Sequence, residues 1–262
     1  MRECWLTLDA QALLHNLAVM REHMPEARLL AMVKADAYGH GIAQVAPLLA
    51  DHADGLGVAC MSEALALRAQ GVKGNITVMQ GVFNAEGLAT ARAQYLTLVV
   101  HSPEQLDLFE ATESSRPLAV WLKINTGMNR LGFRPAQALM AWRRLGNCVG
   151  VHRLGIAAHF ACADEPVLAM TGERVGYGAS WLAERSTRIA VVSIGYGDGY
   201  PRHAPTGTPV LIAGRRYELV GRVSMDMITV KVDGSVNVGD EVVLWGQGLP
   251  VDEIASAAGS AA

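Results

Sequence analysis

The sequence predicts an α/β protein in two parts: a sheet of parallel strands alternating with helices, then a compact antiparallel β-domain. Three observations lead there. Short, nearly unbroken apolar runs recur up to Ala158, each followed by an amphipathic stretch. They are spaced about 20 to 35 residues apart, which suits one strand and one helix per unit. From Arg188 onward the runs lie closer together, and turns rather than helices separate them.

The strands come in order. Arg28–Val33 is the first, followed by Gly55–Ala59, Ile76–Gln80, Leu96–Val100, Leu118–Leu122 and Leu154–Ala158. Continuous apolar runs of this kind mark strands buried on both faces, as in parallel sheets. Asp9 can cap a helix that presents Leu13, Leu17, Met20 and Met24. Ser62–Gly71 has Ser62 at the N-cap position, Leu65 and Leu67 inside, and Gly71 as its stop. Six βα units point to a (β/α) barrel or a doubly wound sheet. The second part is carried by "RIAVVSIGYGDGY", "GTPVLIAG", "YELVGRVSMDMITVKVD" and "GDEVVLWG", with turns at "IAGRR" and "VDGSV". The opening "ECWLTLD" alternates and is expected to add a strand, residues 2–8, to that domain. The expected division is therefore a partial barrel over 9–166 and a β-domain over 167–262. An eight-stranded barrel takes about 250 residues by itself. Only six strands precede Pro166, so either something is missing between Pro166 and Val167 or the barrel is abnormal.

Composition narrows the function. The chain has 262 residues, 51% hydrophobic, with a net charge of −3. That leaves no basic field for nucleic acid or an anionic membrane surface. No eighteen-residue apolar run occurs, and Arg2, Glu3 and Asp9 interrupt the N-terminus. Cys4, Cys60, Cys148 and Cys162 are scattered, with no CxxC pair. A soluble, cytoplasmic protein with free thiols, binding no metal, is expected.

Several residues stand where chemistry is done. In "LLAMVKADAYGHG", Lys34 closes the first apolar strand. The C-terminal ends of parallel strands are where α/β sites form. A lysine desolvated there becomes a neutral amine able to form Schiff bases. Read from that stretch by itself, a lysine snorkelling at a strand end fits as well. Lys123 closes another apolar strand in "WLKINTGMNRLGF", and Arg130 follows with its planar fork for carboxylate or phenolate oxygens. His159 stands at the end of the sixth strand in "GIAAHFACADEP". Tyr177 and Tyr196 lie beside glycines in "ERVGYGASW" and "SIGYGDGYPR", and "RVSMDM" holds Met225 and Asp226. Taken singly, each of these fits ordinary turn or core chemistry.

Taken in order, "VKADAYGHG", "LKINTGMNRLGF", "HFACADEP", "GERVGYGASW", "GYGDGYPRHAPTGTPVLI" and "VGRVSMDMITV" resemble alanine racemase, a fold-type III pyridoxal-phosphate enzyme family. The resemblance spans nearly the whole chain. It implies an α/β fold with an N-terminal (β/α)8-type barrel, of which six units are visible, and a C-terminal antiparallel β-domain. It implies a head-to-tail homodimer with shared active sites. The activity implied is an isomerase interconverting L-alanine and D-alanine, with pyridoxal 5′-phosphate as cofactor, in the supply of D-alanine for peptidoglycan or its use. Lys34 matches the lysine that holds the cofactor covalently, and Tyr38 the tyrosine near its phosphate. Arg130 matches the arginine beside the cofactor's phenolic oxygen and the substrate carboxylate. Lys123 matches a lysine often carbamylated to hold that arginine. His159 matches the histidine packed on the pyridine ring. Tyr177 matches the second catalytic base, reaching the partner subunit's cofactor, with His159 as its helper. Tyr196 matches an entrance tyrosine, and Met225 and Asp226 match residues lining the substrate site from the partner side.

The chain departs from the pattern in places. Between "HFACADEP" and "GERVGYG" the family has an Asn-Ser-Ala run that binds phosphate and an Arg-Pro-Gly-Ile run facing the pyridine nitrogen. Neither occurs here, and a Tyr-Glu run expected after "EIASAAGSAA" is also lacking. A barrel without those strands is expected to expose its edges and hold the cofactor weakly. A pyridoxal-phosphate-binding barrel without racemase activity, or an inactive deletion variant, is the alternative. A decarboxylase of the same fold type fits less well, because its motifs differ from "VKADAYGHG".

Overall fold

Six strands pair strictly in the order in which the chain makes them: β1 (Leu30–Met32), β2 (Gly55–Val58), β3 (Ile76–Val78), β4 (Thr97–Val100), β5 (Leu118–Lys123) and β6 (Val151–Ala157). The computed structural model describes residues 7–112, 116–160 and 173–260. Pairing from β1 through β5 is parallel throughout, with Leu30 opposite Gly55, Leu56 opposite Ile76, and Leu98 opposite Val120. A doubly wound sheet would reverse direction beside its first strand. Each strand here is added on the same side as the last, which is the winding of a (β/α) barrel. β2, β3 and β4 are one or two residues shorter than expected, and β1 three. β5 instead runs one residue further, to Lys123, and β6 begins earlier, at Val151.

The inner strands β2, β3 and β4 are buried along their whole length. Leu56, Val58, Ile76, Val78, Leu98 and Val100 fill the core around them. The outer strands differ, since β1 and β6 keep only partly buried and exposed residues. The first helix, Ala10–His23, is capped as expected: Ala12 N donates to Asp9 Oδ1 at 3.0 Å. None of its residues is buried, so its expected apolar face is half covered at most. Ser62 is not an N-cap. The helix is Met61–Ala69, Cys60 stands at its N-cap, and Ser62 falls inside the first turn. Gly71 does end that segment, at φ +86°.

The chain divides into two compact units, Met1–Leu122 with Met140–Ile156, and Lys123–Leu139 with Ala157–Ala262. That division differs from the one at Pro166. The loop and helix start over 123–139 group with the second unit. Residues 2–6 of the expected strand over 2–8 and the Pro166–Val167 junction lie outside the described residues, and Thr7 and Leu8 are not in a strand.

The second unit holds β7 (Arg174–Val175) paired with β8 (Trp181–Leu182). It also holds an antiparallel sheet of β9 (Arg188–Val192), β10 (Pro209–Ile212), β11 (Arg215–Leu219), β12 (Ile228–Val232) and β13 (Val242–Val243). Their order is β13-β10-β11-β12-β9. At "IAGRR" a two-residue turn, Ala213 at φ +47° and Gly214 at φ +77°, joins β10 to β11, as a tight hairpin requires. Tyr200, Val210, Ile212, Leu219, Ile228 and Val230 form the core.

One glycine in this unit is set by space. Gly195 lies so close to the backbone of Ser224 and Met225 that a Cβ would collide with Ser224 O and Met225 O. The same approach lets Tyr196 N donate to Ser224 O at 3.1 Å and Gly197 N to Met225 O at 2.8 Å. Gly195→Ala should therefore cost about 1–3 kcal/mol and lower the melting temperature by several degrees. Gly146→Ala is the control. Gly146 sits in the helix Pro135–Asn147 with nothing within 4 Å of the added carbon. That change should raise stability by up to about 1 kcal/mol. Equal melting temperatures for the two variants would refute the packing argument.

Candidate active site

Two clusters, one in each unit, hold the residues singled out from the sequence. In the first unit the chain leaves β1 at Val33 and enters a left-handed turn. Ala35, Asp36, Ala37 and Tyr38 take φ of +50°, +53°, +54° and +57° in succession. Left-handed backbone costs a residue with a Cβ roughly 1–2 kcal/mol, so the run is expensive unless other groups hold it. Two carboxylates do so. Glu63 accepts from Ala35 N at 2.6 Å through Oε1 and from Ala59 N at 2.7 Å through Oε2. Asp36 Oδ1 accepts from Ile42 N at 2.7 Å. Hydrogen bonds to charged groups contribute about 1.5–3 kcal/mol each, enough to offset much of the cost. The turn sets Lys34 Nζ 5.9 Å from the centre of the Tyr38 ring. Lys34 is half buried and Tyr38 is exposed.

The second cluster is built on the loop after β5. The loop closes on itself: Asn125 N donates to Phe133 O at 2.9 Å, and Phe133 N donates to Lys123 O at 2.9 Å. Asn125 Oδ1 accepts from Gly127 N and Asn129 N, and Asn125 Nδ2 donates to Asn129 Oδ1 at 2.7 Å. Asn129 tolerates φ +50°, and its Nδ2 donates to Arg174 O at 2.7 Å. Arg130 is thereby presented inward. Its Nη1 donates to Ser224 Oγ at 2.6 Å, and its Cζ lies 5.0 Å from the centre of the Tyr177 ring. Arg130 Nε is buried and has no hydrogen-bond partner.

Tyr177 opens a short 3-10 turn, Tyr177–Ala179, after Gly176 at φ +81°. Its hydroxyl shares a 3.2 Å hydrogen bond with His159 Nε2, and the two rings meet edge to face at 5.5 Å. Lys123, at the end of β5, is affected by both burial and charge. Burial first, and the Arg130 guanidinium second, push its ammonium down from 10.5 to about 8. Tyr196 begins another 3-10 turn, with the Arg202 guanidinium 5.3 Å from its ring centre. Met225 and Asp226 lie in a bend before β12, not in a strand, and Met225 contributes its carbonyl to Gly197 N.

The structure thus joins Arg130, Tyr177, His159 and Lys123 in one unit and places Lys34 with Tyr38 in the other. Sequence reasoning missed Glu63 and Ser224, which hold these groups. It also missed the Asn125–Asn129 pair, for which the Asn-x-x-x-Asn spacing beside Gly127 was an available signal. Cys60 and Cys148 are free thiols. Among the described residues no helix is long and apolar enough to cross a membrane.

Comparison with known proteins places these clusters in context. The family model "Alanine racemase, N-terminal domain" matches residues 8–208, and "Alanine racemase, C-terminal domain" matches 168–262. The biosynthetic alanine racemase of Salmonella typhimurium is 39% identical over 336 aligned positions, covering 97% of this chain and 93% of the relative. That of Shewanella woodyi is 38% identical over 335 positions, with the same coverage. Among solved structures, the biosynthetic alanine racemase of Pseudomonas aeruginosa is 37% identical, with a TM-score of 0.60 over 97% of this chain and 93% of that one. The alignments are longer than the 262 residues of this chain, so the relatives carry several dozen residues with no counterpart here.

The Lys123 environment has a measurable sign. Unfolded, this lysine binds its proton up to 10.5; folded, only up to about 8. Between those values the unfolded chain binds more protons, so stability rises as pH is raised from 8 to 10.5. Lys123→Met should remove that rise and add roughly 2 kcal/mol of stability at neutral pH. Urea melts of both proteins at pH 7, 9 and 10.5 test it. A rise of equal size in the variant would place its cause elsewhere.

Proposed function

The chain belongs to the alanine racemase family, and on that premise we propose that it interconverts L-alanine and D-alanine with pyridoxal 5′-phosphate as its cofactor. Lys34 and Tyr177 are the two bases. The observation that carries the reading within this chain is the second cluster. A tyrosine hydroxyl rests on a histidine nitrogen, beside an arginine with a buried donor still to satisfy.

The residues fit the cofactor's chemistry. Lys34 offers an amine for its aldehyde. Tyr38 offers a hydroxyl for its phosphate. Arg130 Nε, a buried donor without a partner, suits its phenolic oxygen or a substrate carboxylate. His159 suits the flat face of its ring. When bound, the cofactor supplies an electron sink that makes the α-hydrogen of an attached amino acid acidic. The protein's own task is proton traffic. Racemisation removes a proton from one face of the α-carbon and returns one to the other. Lys34 Nζ serves one face and the Tyr177 hydroxyl serves the other. His159 Nε2 can take and return the Tyr177 proton across their 3.2 Å contact. Arg130, anchored by Ser224, fixes the carboxylate so that the α-carbon does not rotate between the bases. Tyr196, Met225 and Asp226 line the substrate's approach in this reading.

Lys123 completes the reading. A lysine pushed down to about 8 is in part a free amine near neutral pH. A free amine adds to carbon dioxide, forming a carbamate and releasing a proton. The product is an anion beside Arg130, where the unmodified pair sets two cations together. Incubation with 13C-labelled bicarbonate should give a carbamate carbon signal that Lys123→Met abolishes; a signal retained in the variant would assign it elsewhere.

The same reading makes the protein a cytoplasmic, head-to-tail homodimer in which Tyr177 serves the partner's cofactor. Lys34→Ala should lose the absorbance of lysine-bound pyridoxal phosphate. Tyr177→Phe should keep that absorbance and lose racemisation, while still exchanging the α-hydrogen of one enantiomer with D2O. Normal racemisation by Tyr177→Phe would refute the second base. Mixing the two variants should restore about a quarter of the unchanged protein's activity if bases pair across subunits. No restoration would place both bases in one chain and refute the shared site. Cofactor affinity should fall below that of the relatives, because no Asn-Ser-Ala run occurs between Pro166 and Gly172. Lys34 labelled by cofactor in a chain of 27.9 kDa that racemises nothing would favour the binding-protein alternative.

A further inference from the structure

Glu63 stands on the helix that follows β2, in "MSEALALRA", where the sequence reads as an ordinary exposed acidic position in a first turn. Its carboxylate does something else. It bridges two backbone N–H groups from separate segments: Ala35, next to Lys34, and Ala59, just past the end of β2. The Ala35 N–H shares a rigid peptide plane with the Lys34 carbonyl. Holding that N–H therefore fixes the rotation about the Lys34 Cα–C bond, and with it the direction in which the lysine leaves the backbone. The next four residues are all left-handed, and none of them is a glycine, for which this conformation would be free of strain.

We propose that Glu63 is the positioning residue of Lys34: a carboxylate clamp that keeps the strained turn in place and aims the amine. The proposal rests on the reading of Lys34 as the residue that captures pyridoxal phosphate. Its physical content, the clamping of the Ala35–Tyr38 turn, is independent of that reading. A carboxylate is needed because both oxygens accept. Glutamine offers one acceptor and would set an amide N–H against the other backbone N–H. Aspartate is one methylene shorter than the span requires.

The test uses the full chain with two readouts. The first is the rate at which pyridoxal phosphate becomes fixed to Lys34, trapped by borohydride and located by peptide mass. The second is hydrogen exchange of the Ala35–Tyr38 amides, which involves no cofactor. Glu63→Gln and Glu63→Ala should slow capture at Lys34 by about 10- to 100-fold, and exchange over Ala35–Tyr38 should quicken while the inner strands stay protected. Glu63→Ala combined with Ala37→Gly should recover part of the capture rate, since glycine adopts the left-handed turn without a clamp. A general loss of stability would not be recovered by that glycine. Unchanged capture and exchange in both single variants would overturn the proposal, as would exchange quickening equally across the whole sheet. If the unchanged chain is not labelled at Lys34, the functional reading of that lysine fails. The clamp then stands or falls on the exchange pattern.

Discussion

The left-handed turn after Val33 is the constraint on which the Lys34 cluster depends. A parallel strand delivers its last residue to the rim of a sheet, and a regular helix would normally follow. Here four successive residues with side chains take positive φ instead. Such a run persists only where the surroundings over-determine it. Glu63 and Asp36 each turn a carboxylate onto a backbone N–H of the turn or its exit. Gly39, in the same region at φ +82°, closes the turn. Strain of this kind is stored where direction matters more than stability, and the residue so directed is Lys34.

The Arg130 cluster, in the other unit, is ordered by a different device. No backbone strain is needed to aim Arg130, because an asparagine network closes its loop and Ser224 receives its guanidinium. What this cluster carries instead is charge. Lys123 and Arg130 are cations close enough for one to depress the other, and burial adds to the effect. Two cations together, with one buried donor unfilled, form a site whose stability improves when an anion enters. Substrate carboxylate, cofactor oxygen and lysine carbamate are each that kind of partner. The same electrostatics therefore favour binding and favour modification of Lys123.

Much of this was legible in the sequence, for a physical reason. Strands buried on both faces must be apolar throughout, so Gly55–Val58 and Thr97–Val100 announce themselves. Their spacing suits a barrel and a doubly wound sheet equally, and the strand order decides for the first. Lys34, Arg130 and Tyr177 were legible as motifs. Their supports were not. Glu63 lies in a helical repeat that any solvent-facing acid would satisfy, and its partners are backbone atoms, which leave no trace in residue type. Ser224 is a small residue in a bend, given its role by an arginine 94 positions earlier. Ser62 misled for the converse reason: it has the right chemistry for a cap, but the helix begins one residue before it, at Met61.

The edges of the sheet bear on how far the family's chemistry carries over. In a closed barrel every strand has two neighbours, and burial is even around the ring. Here β2 to β4 are buried throughout, while β1 and β6 are not, and Leu30 and Ile156 stay 40% and 56% exposed. The relatives have several dozen more residues than this chain, enough for two further βα units. The groups argued to aim Lys34 and Arg130 lie within the helix and loops the chain does have. The runs matched to phosphate binding do not. On the proposed function, proton transfer would draw on the first set and residence of the cofactor on both. On that reading this chain would be better provided for the chemistry than for the grip on the molecule that performs it.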